Sequence, residues 1–232
     1  MVRRWPVRTL WSIPLLATLL LTPSTAAAQQ TAPLPSYQPQ AAQEPEASAV
    51  VFEGLASFGN YNLFASGSGC KLYTGGVEYD RNTWGRFLRA QVDYVGEILP
   101  LVLLQEPTQS DYHGYPTTNQ RRIVPGIGIT PIGFRMLWRR GQLVQPYVEE
   151  KGGILAFTRK VINSNATYED FSLQSSVGML VKASRRYDVR VSLYSDFHMS
   201  NAFIVPVNPG LDVMNVSFGL SYNLGGRRAA SQ

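Results

Sequence analysis

Cysteine is nearly missing. Cys70 is the only one among 232 residues, so no internal disulfide can hold the fold. Histidine is almost as scarce: His113 and His198 stand alone, with no Cys/His cluster, which argues against a structural zinc site. Beyond Ala28 no apolar run is long enough to cross a membrane as a helix. A large excess of one charge is lacking too. Arg3, Arg4 and Arg8 belong to an acid-free leader, so the chain after it carries 18 basic against 16 acidic residues, a net +2. The full-length pI of 9.4 therefore overstates how basic the working protein is, and no nucleic-acid partner is implied. Gly126-Ile127-Gly128 sits in a Pro- and Gly-rich strand rather than between a strand and a helix, which excludes a dinucleotide loop. Glu149-Glu150 has no second acidic cluster with which to cage calcium. Neither a metal nor a cofactor is expected.

What is present begins with a secretory signal over residues 1–28. It has the arginines of a basic n-region, an apolar core from Leu10 to Leu21 broken by Ser12, Pro14 and Thr18, and small residues Ala26-Ala27-Ala28 for Sec-type cleavage. Residues 29–49 are rich in Gln, Pro and Ala, with Glu44 and Glu46 the only charges, and read as a disordered leader. Residues 225–232 form a tail, leaving 50–224 as the folded domain.

Within that domain, segments alternate in polarity. Phe171, Leu173, Val177, Met179 and Val181 oppose Ser172, Gln174, Ser176 and Lys182. Val189, Val191, Leu193 and Phe197 oppose Asp188, Arg190, Ser192 and Asp196, and Met214 to Leu224 repeats the pattern. The spacing predicts strands near Val50–Asn60, Lys71–Tyr79, Arg86–Ile98, Arg122–Leu137, Val144–Phe157, Phe171–Lys182, Tyr187–Met199 and Asp212–Leu224. The connections alternate between short (Asp80–Gly85, Trp138–Leu143, Ala183–Arg186) and longer on average (Asn62–Gly69, Leu99–Arg121, Thr158–Asp170, Asn201–Leu211). This is the layout of an all-β, eight-stranded antiparallel transmembrane barrel. Tyr61, Tyr73, Tyr79, Trp84, Trp138, Tyr147, Tyr187 and Tyr222 suit interfacial girdles, and Arg89, Asp93, Glu149, Lys151, Arg190 and Asp196 suit ion pairs inside. An even strand count puts both termini beside the short turns, on the periplasmic side, so strand seven runs outward.

At the outer end of strand seven lies His198-Met199-Ser200-Asn201-Ala202, followed by Asn208-Pro209-Gly210-Leu211-Asp212. His198 and Ser200 share a strand face, and strand eight returns Asp212 beside them. A histidine that takes the serine proton, held by a carboxylate, makes a hydroxyl nucleophilic near neutral pH. The pattern H-x-S-N-A, then N-x-G and an acid opening the last strand, resembles the outer-membrane lipid A 3-O-deacylases (PagL-like), which are eight-stranded barrels with a Ser-His-Glu triad. The resemblance implies hydrolysis of an acyl ester on lipid A of lipopolysaccharide in the outer leaflet of a Gram-negative-type outer membrane. It implies His198 as base, Ser200 as nucleophile and Asn208 as an oxyanion-hole contributor, and it puts the acid on Asp212, where the family more often shows Glu. Backbone N–H groups around Gly210 would join Asn208. An outer-membrane phospholipase A and a non-enzymatic small barrel for adhesion or envelope integrity are the alternatives.

Parity conflicts with this site. Strict alternation puts Asp212 on the lipid face with Met214 and Val216, but His198 and Ser200 inside with Arg190 and Ser192. A β-bulge near Tyr194–Phe197, or an irregular strand end, would bring all three together outside the barrel. The remaining candidates read plainly: His113 is solvated, Asn165-Ala166-Thr167 is a chance sequon, and Arg139-Arg140 are rim charges, as are Arg121-Arg122, whose outer position also suits a lipid phosphate.

Overall fold

The computed structural model describes residues 48–201, 204 and 208–225. The signal and nearly all of the leader lie outside the described residues, as does the tail beyond Gly225. Eight strands follow in chain order: β1 Ser48–Tyr61, β2 Lys71–Phe87, β3 Ala90–Pro107, β4 Arg121–Leu137, β5 Val144–Phe157, β6 Glu169–Lys182, β7 Tyr187–Ser200 and β8 Leu211–Asn223. Each pairs antiparallel with its neighbour, and β1 pairs with β8, closing the barrel. Closure removes every sheet edge, so the backbone satisfies its own hydrogen bonds without water. The outward face is apolar: Phe52, Ile98, Ile127, Ile132, Phe171, Leu173, Val216 and Phe218 are all exposed.

Two expected boundaries are corrected. β2 does not turn at Asp80–Gly85; it runs to Phe87, and the reversal is made by Leu88 and Arg89, both left-handed (φ 48° and 62°). Arg89 therefore lies in an exposed turn, not inside the barrel. β3 continues through Leu99 to Pro107, because Leu99, Val102 and Leu104 all bury inside. The register shift between Leu99 and Val102 accommodates Pro100, a residue that cannot donate to a ladder.

The interior has two parts. Towards the long loops, Leu55, Leu72, Leu104, Leu155, Phe197, Met199 and Val213 belong to one apolar cluster. Towards the short turns, Arg135, Lys151 and Arg190 are shared among a larger group of buried acids. Arg135 reaches Asp80 at 2.7 Å and Asp93 at 3.1 Å. Lys151 reaches Glu78 at 2.8 Å, Glu97 at 3.0 Å and Glu149 at 3.5 Å. Arg190 binds Glu78 closely, lies 2.7 Å from Asp80, and stacks over the Tyr147 ring at 5.5 Å. Tyr147 is thus an interior residue rather than a girdle one, since its strand position has inward parity. Gly178 makes the space, as a Cβ there would come within 2.5 Å of the Tyr147 ring. The side chain of Asp196 lies outside the described residues.

Charges buried this deeply cost free energy unless matched, and deleting one partner leaves the others unpaired. Lys151→Met is expected to destabilise the barrel by about 3–5 kcal/mol. The check is the urea midpoint for loss of the heat-modifiable band on a gel. An unchanged midpoint would mean that the lysine contributes nothing net.

Candidate active site

The geometry of the site follows from one irregularity in β7. Against β8, the pairing jumps from Ser192↔Ser217 to Ser195↔Asn215, three residues opposite two. Against β6, Gly178↔Ser192 is followed by Val177↔Tyr194. One extra residue therefore sits in β7, overlapping the start of the stretch where a bulge is expected. Such an insertion flips the parity of everything after it. Asp188, Arg190 and Ser192 face inward before it; Phe197 and Met199 face inward after it. Phe197 is accordingly a core residue, not a lipid-facing one. His198 and Ser200 emerge half-buried on the outward face.

On that face His198 lies directly opposite Asp212 in the β7–β8 register. The His198 Nδ1 to Asp212 Oδ1 distance is 2.6 Å. A carboxylate only accepts, so Nδ1 donates, and in the neutral ring this leaves the lone pair on Nε2. The imidazole side chain is 19% exposed, and the Asp212 side chain 0%.

Asp212 is held from its other side by backbone alone. Its Oδ2 accepts the N–H groups of Leu63 (2.9 Å), Phe64 (2.8 Å) and Ala65 (2.9 Å), in the 62–70 connection from β1 to β2. Successive N–H groups converging on one oxygen make an anion-binding nest. The nest is placed by register: Tyr61, the last residue of β1, pairs with Asp212, so the chain turns away over the carboxylate. The Phe64 ring meets His198 edge-on, with centroids 5.8 Å apart. No side-chain motif announces this nest, because its donors are main-chain groups.

Gly210 packs against Ser200: a Cβ placed on Gly210 would lie 3.4 Å from Ser200 Cβ and 3.1 Å from the Met199 carbonyl oxygen. Its φ of 62° also favours glycine. The Gly210 N–H donates to Asn208 Oδ1 at 2.9 Å, so this donor is already engaged. Asn208 Nδ2 in turn donates to Asp170 Oδ1 at 2.8 Å. Asp170, near the outer end of β6, is the side chain that sequence reasoning leaves unnoticed; its one signal is its inward parity with Ser172 and Gln174.

His113 is exposed in the 108–120 loop between Tyr112 and Tyr115. Arg122 is bound to the buried Glu106, at 2.7 Å, while Arg121 remains exposed. Cys70 is a buried free thiol whose pKa burial pushes up to about 12, which makes it inert as a nucleophile at neutral pH.

A family model described as Lipid A 3-O-deacylase (PagL) matches residues 76–221, more than half of the chain. Among solved structures, the outer membrane enzyme PagL superposes with a TM-score of 0.52 at 14% identity, covering 75% of this chain and 97% of that one. The outer membrane protein OprG from Pseudomonas aeruginosa gives 0.41 at 12% identity, over 77% of this chain and 96% of that one. The attachment invasion locus protein Ail of Yersinia pestis gives 0.38 at 11% identity, over 77% and 98%. No curated protein sequence matches the chain.

Proposed function

This chain belongs to the lipid A 3-O-deacylase (PagL) family, and on that footing we propose that it is an outer-membrane serine esterase that removes an ester-linked acyl chain from lipid A. The observation that carries the reading is the 2.6 Å contact between His198 and Asp212 on the outward face, with Ser200 two residues along the same strand. An outward-facing site at the outer rim meets a substrate that approaches through the membrane. A site facing the interior would not.

His198 Nε2 takes the Ser200 hydroxyl proton as Oγ attacks the ester carbonyl. Asp212 holds the ring in the required tautomer and stabilises the imidazolium. The tetrahedral oxyanion accepts the second N–H of the Asn208 amide, the one not given to Asp170. Collapse breaks the ester C–O bond, and His198 returns its proton to the departing sugar oxygen. Water, deprotonated by the same histidine, then attacks the acyl-enzyme and releases the fatty acid, restoring the serine hydroxyl.

Lipopolysaccharide incubated with the refolded protein in the presence of a chelator should release a hydroxy fatty acid. Calcium-dependent release from phospholipid would point instead to a phospholipase A. No release from either substrate would leave a non-enzymatic barrel.

A further inference from the structure

We propose that Asp170 is a positioning residue for this reaction, acting through Asn208; the proposal rests on the esterase reading above. A chain of contacts leads from the barrel wall to the nucleophile. Asp170 Oδ1 accepts Asn208 Nδ2 at 2.8 Å, Asn208 Oδ1 accepts the Gly210 N–H at 2.9 Å, and Gly210 packs on Ser200.

These two hydrogen bonds fix the amide completely. Reversing it would turn the NH₂ group towards the Gly210 N–H and the oxygen towards the Asp170 carboxylate, two repulsive contacts in place of two bonds. One N–H is left over, and its direction is set by the other two bonds. Asn208 belongs to the 201–210 connection, and loops by themselves place groups loosely. Asp170 belongs to β6 and is 1% exposed, so it ties the oxyanion donor to the barrel wall.

The position is costly for folding. A carboxylate this buried needs its oxygens satisfied, yet Asp170 Oδ2 has no hydrogen-bond partner among the described residues. A neutral side chain would serve stability better. A residue that is suboptimal for folding but fixes an amide one hydrogen bond away from the glycine packed on Ser200 has the profile of a functional-site residue.

The test is a double-mutant cycle on the full-length refolded protein, measuring kcat and KM for lipopolysaccharide deacylation together with heat-modifiable migration. Asn208→Ala should lower kcat by on the order of 10²–10³, as loss of an oxyanion donor does. Asp170→Ala should lower kcat at least tenfold with KM unchanged, and the double variant should be no slower than Asn208→Ala alone. Asp170→Asn keeps a carbonyl oxygen for the bond and should stay within a few-fold of wild type.

Losses that multiply in the double variant would overturn the proposal, as would a wild-type rate in Asp170→Ala. If Asp170→Ala loses heat-modifiability, Asp170→Asn decides alone: a folded but slow Asn variant overturns it, a folded and active one supports it. Unimpaired Asn208→Ala in an active background would remove this proposal and leave the esterase standing. An inactive wild type would remove both.

Discussion

Ser200→Ala is expected to abolish acyl release, with a rate loss on the order of 10⁶, the scale seen when a serine hydrolase loses its nucleophile. The barrel should survive, because Ser200 is a half-buried side chain near the outer rim and the change removes one oxygen. His198→Ala should cost about as much, and the pair together no more than either alone, since nucleophile and base act as one unit. Acyl release and heat-modifiability measured on the same preparations separate loss of chemistry from loss of fold. A folded Ser200→Ala protein with wild-type activity would end the serine-esterase reading.

The second large effect is expected at Asp212. Its two oxygens face donors on both sides: His198 Nδ1 on one, the N–H groups of Leu63, Phe64 and Ala65 on the other. An amide offers only one oxygen. Asp212→Asn must therefore set its NH₂ against either the imidazole N–H or the three backbone N–H groups, and it removes the charge that stabilises the imidazolium. A loss on the order of 10⁴ in rate is expected, as for the equivalent change in a protease triad.

Asp212→Glu is expected to be impaired as well, although Glu is the residue look-alikes more often carry. The Asp212 carboxylate is fully buried between two sets of donors at hydrogen-bond distance. One more methylene displaces it from the nest or from the ring, and a displacement of about 1 Å can cost on the order of 10² in rate. Wild-type activity in Asp212→Glu would show that the 62–65 turn yields to the longer acid. Wild-type activity in Asp212→Ala would place the acid elsewhere.

Much of this was legible in the chain because the physics is local. Alternation in 171–182 and 213–224 follows from a strand with lipid on one side and a polar interior on the other. The irregularity was legible through a contradiction: His198 and Asp212 could share a face only if the alternation broke, by a bulge or an irregular strand end, and β7 does gain a residue between Ser192 and Ser195. The hairpin at Leu88–Arg89 was hidden because its two left-handed residues are Leu and Arg rather than the Asn-Gly or Asp-Gly that such a turn favours. Gly85, which looks like the turn, lies inside β2. The outer half of β3 was hidden by Pro100, which reads as a breaker but sits at a bulge. Within the candidate site, the side chains that carry a motif stand out along the chain, whereas the backbone nest and Asp170 do not. Both depend on which strands the barrel brings together, a non-local fact that spacing along the chain does not carry.

The mass spectrum of lipid A from cells expressing this chain tests the central claim most directly. Wild type should shift the lipid A peak down by the mass of one hydroxyacyl group, and Ser200→Ala, expressed at the same level in the same membrane, should leave the peak in place. Lipid A of unchanged mass in cells holding the folded wild-type barrel, or the same downward shift with Ser200→Ala, would contradict the account.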